Sequence, residues 1–250
     1  MKTLLHGIIV YDINDFIMEP VSRFRGPSLL LLAAVHILIF VAGLVASASL
    51  PHGGASFVAP FAPSEKVRLF FAQGPMAARV SSFFLFGSAV PFGIFAVTTV
   101  SRLRFLGVRA AGTNIALLGG LAATIALMFS GMAGWILSVP DVSVSAPLVK
   151  AFYYLSFLCG GVLYAVGFGL LAAGVSVTSY FMRLLPRWLT VLGILLAITG
   201  ELSWFSLVAF PANFFIPITR YIGFIWMLLA AVALTKDRRV AHAASAAASS

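Results

Sequence analysis

The chain has 250 residues, 61% of them apolar and only 9% charged, with a formal net charge of +9. A water-soluble domain carries roughly 25% charged residues, so 16 basic and 7 acidic side chains cannot solvate a globule of this length. The basic residues sit in short groups between long apolar runs rather than in a stripe interleaved with aromatics, which excludes a nucleic-acid partner and leaves the lipid bilayer as the main solvent.

In chain order, residues 1–26 form a cytoplasmic N-terminal segment. Leu4, Leu5, Ile8, Ile9, Ile13, Phe16 and Ile17 recur at helical spacing, with Asp12 and Asp15 between them. That pattern predicts an amphipathic helix lying in the membrane interface. The first apolar run, Ser28 to about Leu50, is long enough to span, since about 20 residues at 1.5 Å rise cross a hydrocarbon core of roughly 30 Å. A signal peptide is the rival reading, because Arg23 and Arg25 precede the run and Ala46-Ser47-Ala48 resembles a cleavage site. A run of over twenty residues is longer than the roughly 7–15 of a signal core, so a retained span is preferred.

The loop from about Pro51 to Arg79 holds Pro51, Pro60, Pro63 and Gly53-Gly54 and reads as mostly irregular. Within it Ser64 and Glu65 read as the start of a helix, expected on the outer membrane surface with Phe70 and Phe71 dipping into lipid. Five further spans follow: Val80 to Val100, about Asn114 to Val139, Ala151 to about Ser176, Trp188 to Phe210, and about Phe214 to Leu234. These runs are apolar all round, which is unlike the alternating strands of a membrane barrel. The fold class is therefore all-α, a polytopic transmembrane bundle of about six spans over residues 27–235. Residues 236–250, ending in alanines and serines, read as a disordered cytoplasmic tail.

Orientation follows from Lys and Arg. Lys2, Arg23, Arg25, Arg102, Arg104, Arg109, Arg183, Arg187, Lys236, Arg238 and Arg239 fall on one side. Lys66, Arg68, Arg79, Lys150 and Arg220 fall on the other. The positive-inside rule places both termini in the cytoplasm of an inner membrane.

Ionisable groups inside a bilayer cost roughly 2.5–3.5 kcal/mol each on insertion scales, so each requires a reason. Three stand out: His36, Glu201 and Arg220. As a functional site, Glu201 would carry a proton or hold a cation, Arg220 would serve as counter-ion or anion clamp, and His36 would relay protons or bind a metal. As a structural site, Glu201 and Arg220 would pair across two helices while a neutral His36 bonded to a neighbouring helix. The structural reading is the simpler one. No metal site is called, because one His and one Glu are too few ligands. Bis-histidine haem is disfavoured, since His6, His52 and His242 lie outside the spans. The one cysteine, Cys159, reads as a packing residue.

In the fourth span Gly161, Ala165, Gly169 and Ala173 recur every fourth position, as do Gly119 and Ala123 in the third. Such flat stripes let helix backbones approach closely in lipid. Trp135, Trp188 and Trp204 lie towards span ends, where an indole suits the interface, whereas Trp226 is mid-span and reads equally as lipid-facing bulk or a site wall. No catalytic motif and no phosphate-binding glycine loop is present, so nothing supports an enzyme, no catalytic residue is named and the cofactor is unknown.

Gly174-Val175-Ser176-Val177, Leu184-Leu185-Pro186-Arg187-Trp188-Leu189 and Pro217-Ile218-Thr219-Arg220-Tyr221-Ile222-Gly223-Phe224-Ile225-Trp226 resemble a bacterial family of uncharacterised multi-pass inner-membrane proteins, a domain of unknown function. Ser101-Arg102-Leu103-Arg104 shares that flavour, and the resemblance covers residues 75–235. It implies a six-helix fold and no activity. The expected function is a structural, sensory or partner-binding bundle, with a homo-oligomer or another membrane protein as partner. Its alternative is a small-solute or ion-coupled transporter using Glu201, Arg220 and His36, and a second is a membrane-embedded enzyme or redox carrier.

Overall fold

In the computed structural model, residues 23–51 and 58–235 are described. The interfacial helix expected before Arg23 and the tail expected after residue 235 lie outside them. Among the described residues nine α-helices follow in order: α1 (Leu29–Ala48), α2 (Ser64–Gln73), α3 (Pro75–Phe105), α4 (Ala111–Ile136), α5 (Pro140–Ser143), α6 (Ala146–Phe157), α7 (Tyr164–Met182), α8 (Arg187–Leu202) and α9 (Phe215–Ala233). A π-helical turn, Leu158–Leu163, joins α6 to α7 into one rod, and 3₁₀ turns at Ser203–Leu207 and Phe210–Phe214 connect α8 to α9.

Six of these helical stretches are long and apolar enough to cross a membrane, as expected: Leu29–Ala48, Pro75–Phe105, Ala111–Ile136, Ala146–Met182, Arg187–Leu207 and Phe210–Ala233. Two run well past their apolar runs. The helix after Gly74 starts at Pro75 rather than Val80, because proline suits a first helical turn. The rod continues to Met182, where Arg183 adopts left-handed geometry (φ 51°) and closes the helix.

The spans form a closed ring in the order α1, α3, α4, α7, α8, α9 and back to α1. Small residues set the closest approaches. A Cβ on Gly119 would lie 2.5 Å from the Gly167 carbonyl oxygen and 2.5 Å from the Leu171 nitrogen. The stripe at Gly161, Ala165 and Gly169 instead turns towards α8 and α9. A Cβ on Gly200 would lie 2.6 Å from the Ala165 carbonyl oxygen and 2.8 Å from the Gly169 Cα. Thus α7 carries two small-residue faces, Gly167 and Gly174 towards α4 and Ala165 and Gly169 towards α8. Close backbone approach replaces the hydrophobic drive that lipid removes.

The interior is built from Phe92, Phe95, Tyr164, Phe168, Leu171 and Trp226, all buried. Trp226 is core rather than lipid-facing, and its indole N–H donates to the Leu189 carbonyl at 3.2 Å. Trp135, Trp188 and Trp204 are exposed, in keeping with interfacial placement.

The short helix α2 does not dip its aromatics into lipid. Val67 and Phe71, one turn apart, are buried against Val58, Leu137 and Val149 in a second small core. The Phe71 ring meets Tyr153 at 5.0 Å, and the Tyr153 hydroxyl donates to the Val58 carbonyl at 2.7 Å. The apolar face of α2 finds α6 instead, because the rod extends far enough to meet it. Arg68 donates to Glu65 one turn back, with N···O distances of 2.6 and 3.0 Å. These hydrogen bonds hold the Glu65 carboxyl below the usual carboxylate range. A group depressed in the folded state contributes stability at neutral pH and loses it as pH falls through the depressed midpoint. A carbon-13 NMR titration of Glu65 should therefore give a midpoint below that of a model peptide, and one restored to the ordinary value in Arg68→Gln.

Candidate functional site

Two arrangements of polar side chains lie within the bundle. The first surrounds Arg220, five residues into α9. Its guanidinium carbon sits 4.6 Å from the Tyr164 ring centroid and 5.2 Å from that of Phe40, so the cation is held between aromatic faces from α7 and α1. One terminal nitrogen donates to the Gly160 carbonyl. That oxygen belongs to the π-helical turn, where the loosened i→i+5 pattern and the missing side chains of Gly160 and Gly161 leave the backbone open to a donor.

His36 is buried beside this cage, with its ring 5.1 Å from Phe92 and 5.4 Å from Phe224. Its Nδ1 lies 2.8 Å from the Ser88 carbonyl oxygen. A carbonyl only accepts, so Nδ1 carries the proton, and a neutral His36 presents the Nε2 lone pair. Pro91 lies one turn beyond this accepting carbonyl. Lying inside α3, it removes the donor to the Gly87 carbonyl, next to the Ser88 carbonyl that His36 meets.

Of the three sequence candidates, Arg220 and His36 are therefore drawn into one aromatic cluster, linked through Phe40 and Phe224, whose rings lie 5.3 Å apart. Glu201 does not close it. The expected Glu201–Arg220 ion pair is not made, and among the described residues the ion pair observed is Arg68–Glu65. Glu201 lies in the last turn of α8, whereas Arg220 turns towards α1 and the π turn. Placement on successive spans did not bring the two into an ion pair. Among the described residues, Arg220 Nε, the Tyr164 hydroxyl, His36 Nε2 and Glu201 Oε1 are buried without a hydrogen-bond partner.

The second arrangement was not read from the sequence. At the end of the bundle away from Leu29 and Leu234, a cavity of about 540 Å³ opens between α1, α2, α3, α4 and α6. Leu44, Phe70, Phe71, Leu85 and Leu137 supply apolar walls, and Ser47, Ser81, Ser82, Ser130, Ser156 and Tyr153 supply hydroxyls. Among the described residues no charged side chain lines it. Ser130 and Ser156 brace the floor reciprocally, each hydroxyl donating to the other residue's carbonyl, at 2.8 and 3.0 Å. The Ser82 hydroxyl donates to Ala78 one turn back at 2.7 Å. Each of these oxygens keeps acceptor capacity towards the cavity. The lining comes from five separate helices, so no spacing along the chain marks it. The nearest clue is serine recurring in apolar runs.

A third feature lies at the opposite end. Arg102 reads from sequence as a topology-setting loop arginine, yet it is fully buried in the last turn of α3. It donates to the Leu234 carbonyl at 3.2 Å and stacks 5.4 Å from the Phe24 ring. It ties the end of α9 to α3, satisfying a C-terminal carbonyl that the helix cannot.

Among the described residues no cluster of three or more His, Cys, Asp or Glu has the arrangement of a metal site. Comparison with protein-family models, with curated proteins and with solved structures gave no significant match.

Proposed function

We propose that this protein is a ligand-binding membrane bundle of the sensory or partner-binding class, in a bacterial inner membrane with both termini cytoplasmic, whose chamber takes an uncharged amphiphile. The chamber carries the reading. Its volume falls in the roughly 300–1,000 Å³ range of small-molecule sites, and its lining sets hydroxyls beside apolar walls without a charge. Such a lining suits a short polar head with hydroxyl or ester groups and an apolar tail. A charged ligand would be desolvated there without a counter-ion.

The test uses purified protein in phosphatidylcholine nanodiscs with a diazirine-bearing monoacylglycerol as probe. Photolysis should place adducts on the chamber walls, at Leu85 and Leu137. Ser81→Trp, which fills the mouth from a half-buried position, should cut them about tenfold, equivalent to 1.4 kcal/mol, while the thermal midpoint holds. Adducts confined to lipid-facing residues, or unchanged in the variant, would sink the reading.

A second reading, the small-solute or ion-coupled transporter, draws on the unpartnered buried atoms of Arg220, Tyr164, His36 and Glu201. It requires Glu201→Gln to stop solute flux into proteoliposomes without unfolding the bundle. Intact flux in that variant counts against it.

A further inference from the structure

Among the described residues the chamber carries six hydroxyls, and where their protons already point limits what it can hold. A hydroxyl has one proton to give and two lone pairs to receive with. Ser47 donates to the Leu44 carbonyl at 3.1 Å, and Ser82 to that of Ala78 at 2.7 Å. Ser130 donates to the Ser156 carbonyl at 2.8 Å, and Ser156 returns a bond to the Ser130 carbonyl at 3.0 Å. Tyr153 donates to the Val58 carbonyl at 2.7 Å. Ser81, half-buried at the mouth, is the sixth.

Three of these oxygens gather on the floor. Ser130 Oγ and Ser156 Oγ are 3.2 Å apart. A Cβ placed on Gly134 would stand 2.6 Å from Ser82 Oγ and 3.7 Å from Ser156 Oγ. The missing side chain of Gly134 therefore leaves a notch walled by hydroxyl oxygens from α3 and α6. Gly160 makes room in the same way, because a Cβ there would collide with Ser130 Oγ. The backbone N–H groups of Ser82, Gly134 and Ser156 lie well inside their helices, where the ladder occupies them. The notch offers lone pairs and no free proton.

We infer that the notch at Gly134 recognises a hydroxyl head group, so that the chamber takes an alcohol-headed amphiphile in preference to an ester or an ether. The inference rests on the reading of the chamber as a small-molecule site. An O–H entering the notch adds a hydrogen bond to Ser82 or Ser156 and breaks none. An ester or ether oxygen only accepts. It must draw away a proton already given to a helix carbonyl, or stay unbonded in an enclosed place, and neither exchange gains a bond. An ammonium also donates, but its charge would be desolvated with no carboxylate in the lining. A primary amide brings a carbonyl that the notch cannot serve.

The experiment uses the full-length protein in phosphatidylcholine nanodiscs, labelled at Leu85 and Leu137 by the monoacylglycerol photoprobe. Three unlabelled competitors share one acyl chain: monolauroylglycerol, its di-O-methyl ether, and methyl laurate. They are dosed per mole of nanodisc lipid, so unequal partition does not enter. Half-competition by monolauroylglycerol should need about tenfold less ligand than by either of the others, equivalent to 1.4 kcal/mol. Ser82→Ala removes a notch oxygen whose own bond stays within α3. Its thermal midpoint should hold while the preference falls to about threefold, half of that free energy. Equal competition by the alcohol and its ether, with the walls still labelled, overturns the inference and leaves the chamber reading standing. So does an undiminished preference in Ser82→Ala. A wild type with no adducts at Leu85 and Leu137 overturns both.

Discussion

Gly119→Leu should leave no folded bundle to purify. At this position α4 and α7 touch backbone to backbone. An added Cβ would stand 2.5 Å from the Gly167 carbonyl oxygen, the Leu170 Cβ and the Leu171 nitrogen, none of which is the yielding end of a side chain. The reverse contacts repeat the demand, because a Cβ on Gly167 would lie 2.7 Å from the Ala123 nitrogen and one on Gly174 would lie 2.6 Å from the Ala116 nitrogen. Even Gly119→Ala should lose stability. Overpacking costs about 1–3 kcal/mol, against about 1 kcal/mol gained in helix propensity. Gly87→Ala is the control. It sits in an equally apolar span, yet its nearest atom is Ile39 Cγ2 at 3.8 Å, so it should match or exceed wild-type stability. Size-exclusion profiles and thermal midpoints in one detergent separate the three outcomes. A monodisperse Gly119→Leu protein would mean that α4 and α7 do not pack as described.

Arg220→Ala should be the most costly substitution of a polar side chain. It strands the Gly160 carbonyl, worth about 1–3 kcal/mol for a buried unsatisfied group. It also removes a desolvated cation from two aromatic faces, at about 2 kcal/mol for such a contact. Arg220→Lys should recover part of the loss, because an ammonium keeps the charge but lacks the planar stack on Tyr164. Unfolding in a mild-to-harsh detergent series gives the order wild type, Lys, Ala. The outcome also divides the two readings of the cage. If Arg220→Ala unfolds no more readily than the wild type, the guanidinium is not there for stability, and a transport role gains weight.

The six crossings were legible because hydropathy and length act over twenty residues at once, and no soluble fold tolerates such runs. Helix ends were less so. Pro75 to Arg79 and Val177 to Met182 continue the hydrogen-bond ladder beyond the apolar runs, and hydropathy is blind to a ladder that extends into polar surroundings. Azimuth was the least legible quantity. The sequence placed Glu201 and Arg220 on successive spans, but which way each side chain faces depends on how α8 and α9 rotate about their axes. Packing of Gly200 on Ala165, and of Gly193 on Trp226, fixes that rotation. The stripe at Gly161, Ala165 and Gly169 was visible at a spacing of four, whereas Gly160, Gly167 and Gly174, seven apart, escaped a search at that spacing. For α2 the missing information was the partner, since Val67 and Phe71 meet Val149 and Tyr153 some eighty residues later. The chamber suffers the same difficulty five times over.

The rod from Ala146 to Met182 has a consequence for access. Its 37 residues measure about 55 Å at 1.5 Å per residue, against an apolar slab of roughly 30 Å. With Ser176, the end of the apolar run, level with one boundary, Ser156 stands about 30 Å and Tyr153 about 35 Å along the rod from it, at and just past the far edge of the acyl tails. The chamber that they line therefore lies near the level of the glycerol backbones and phosphates, and an occupant would arrive by sliding along the membrane's rim rather than by diffusing through its oily centre.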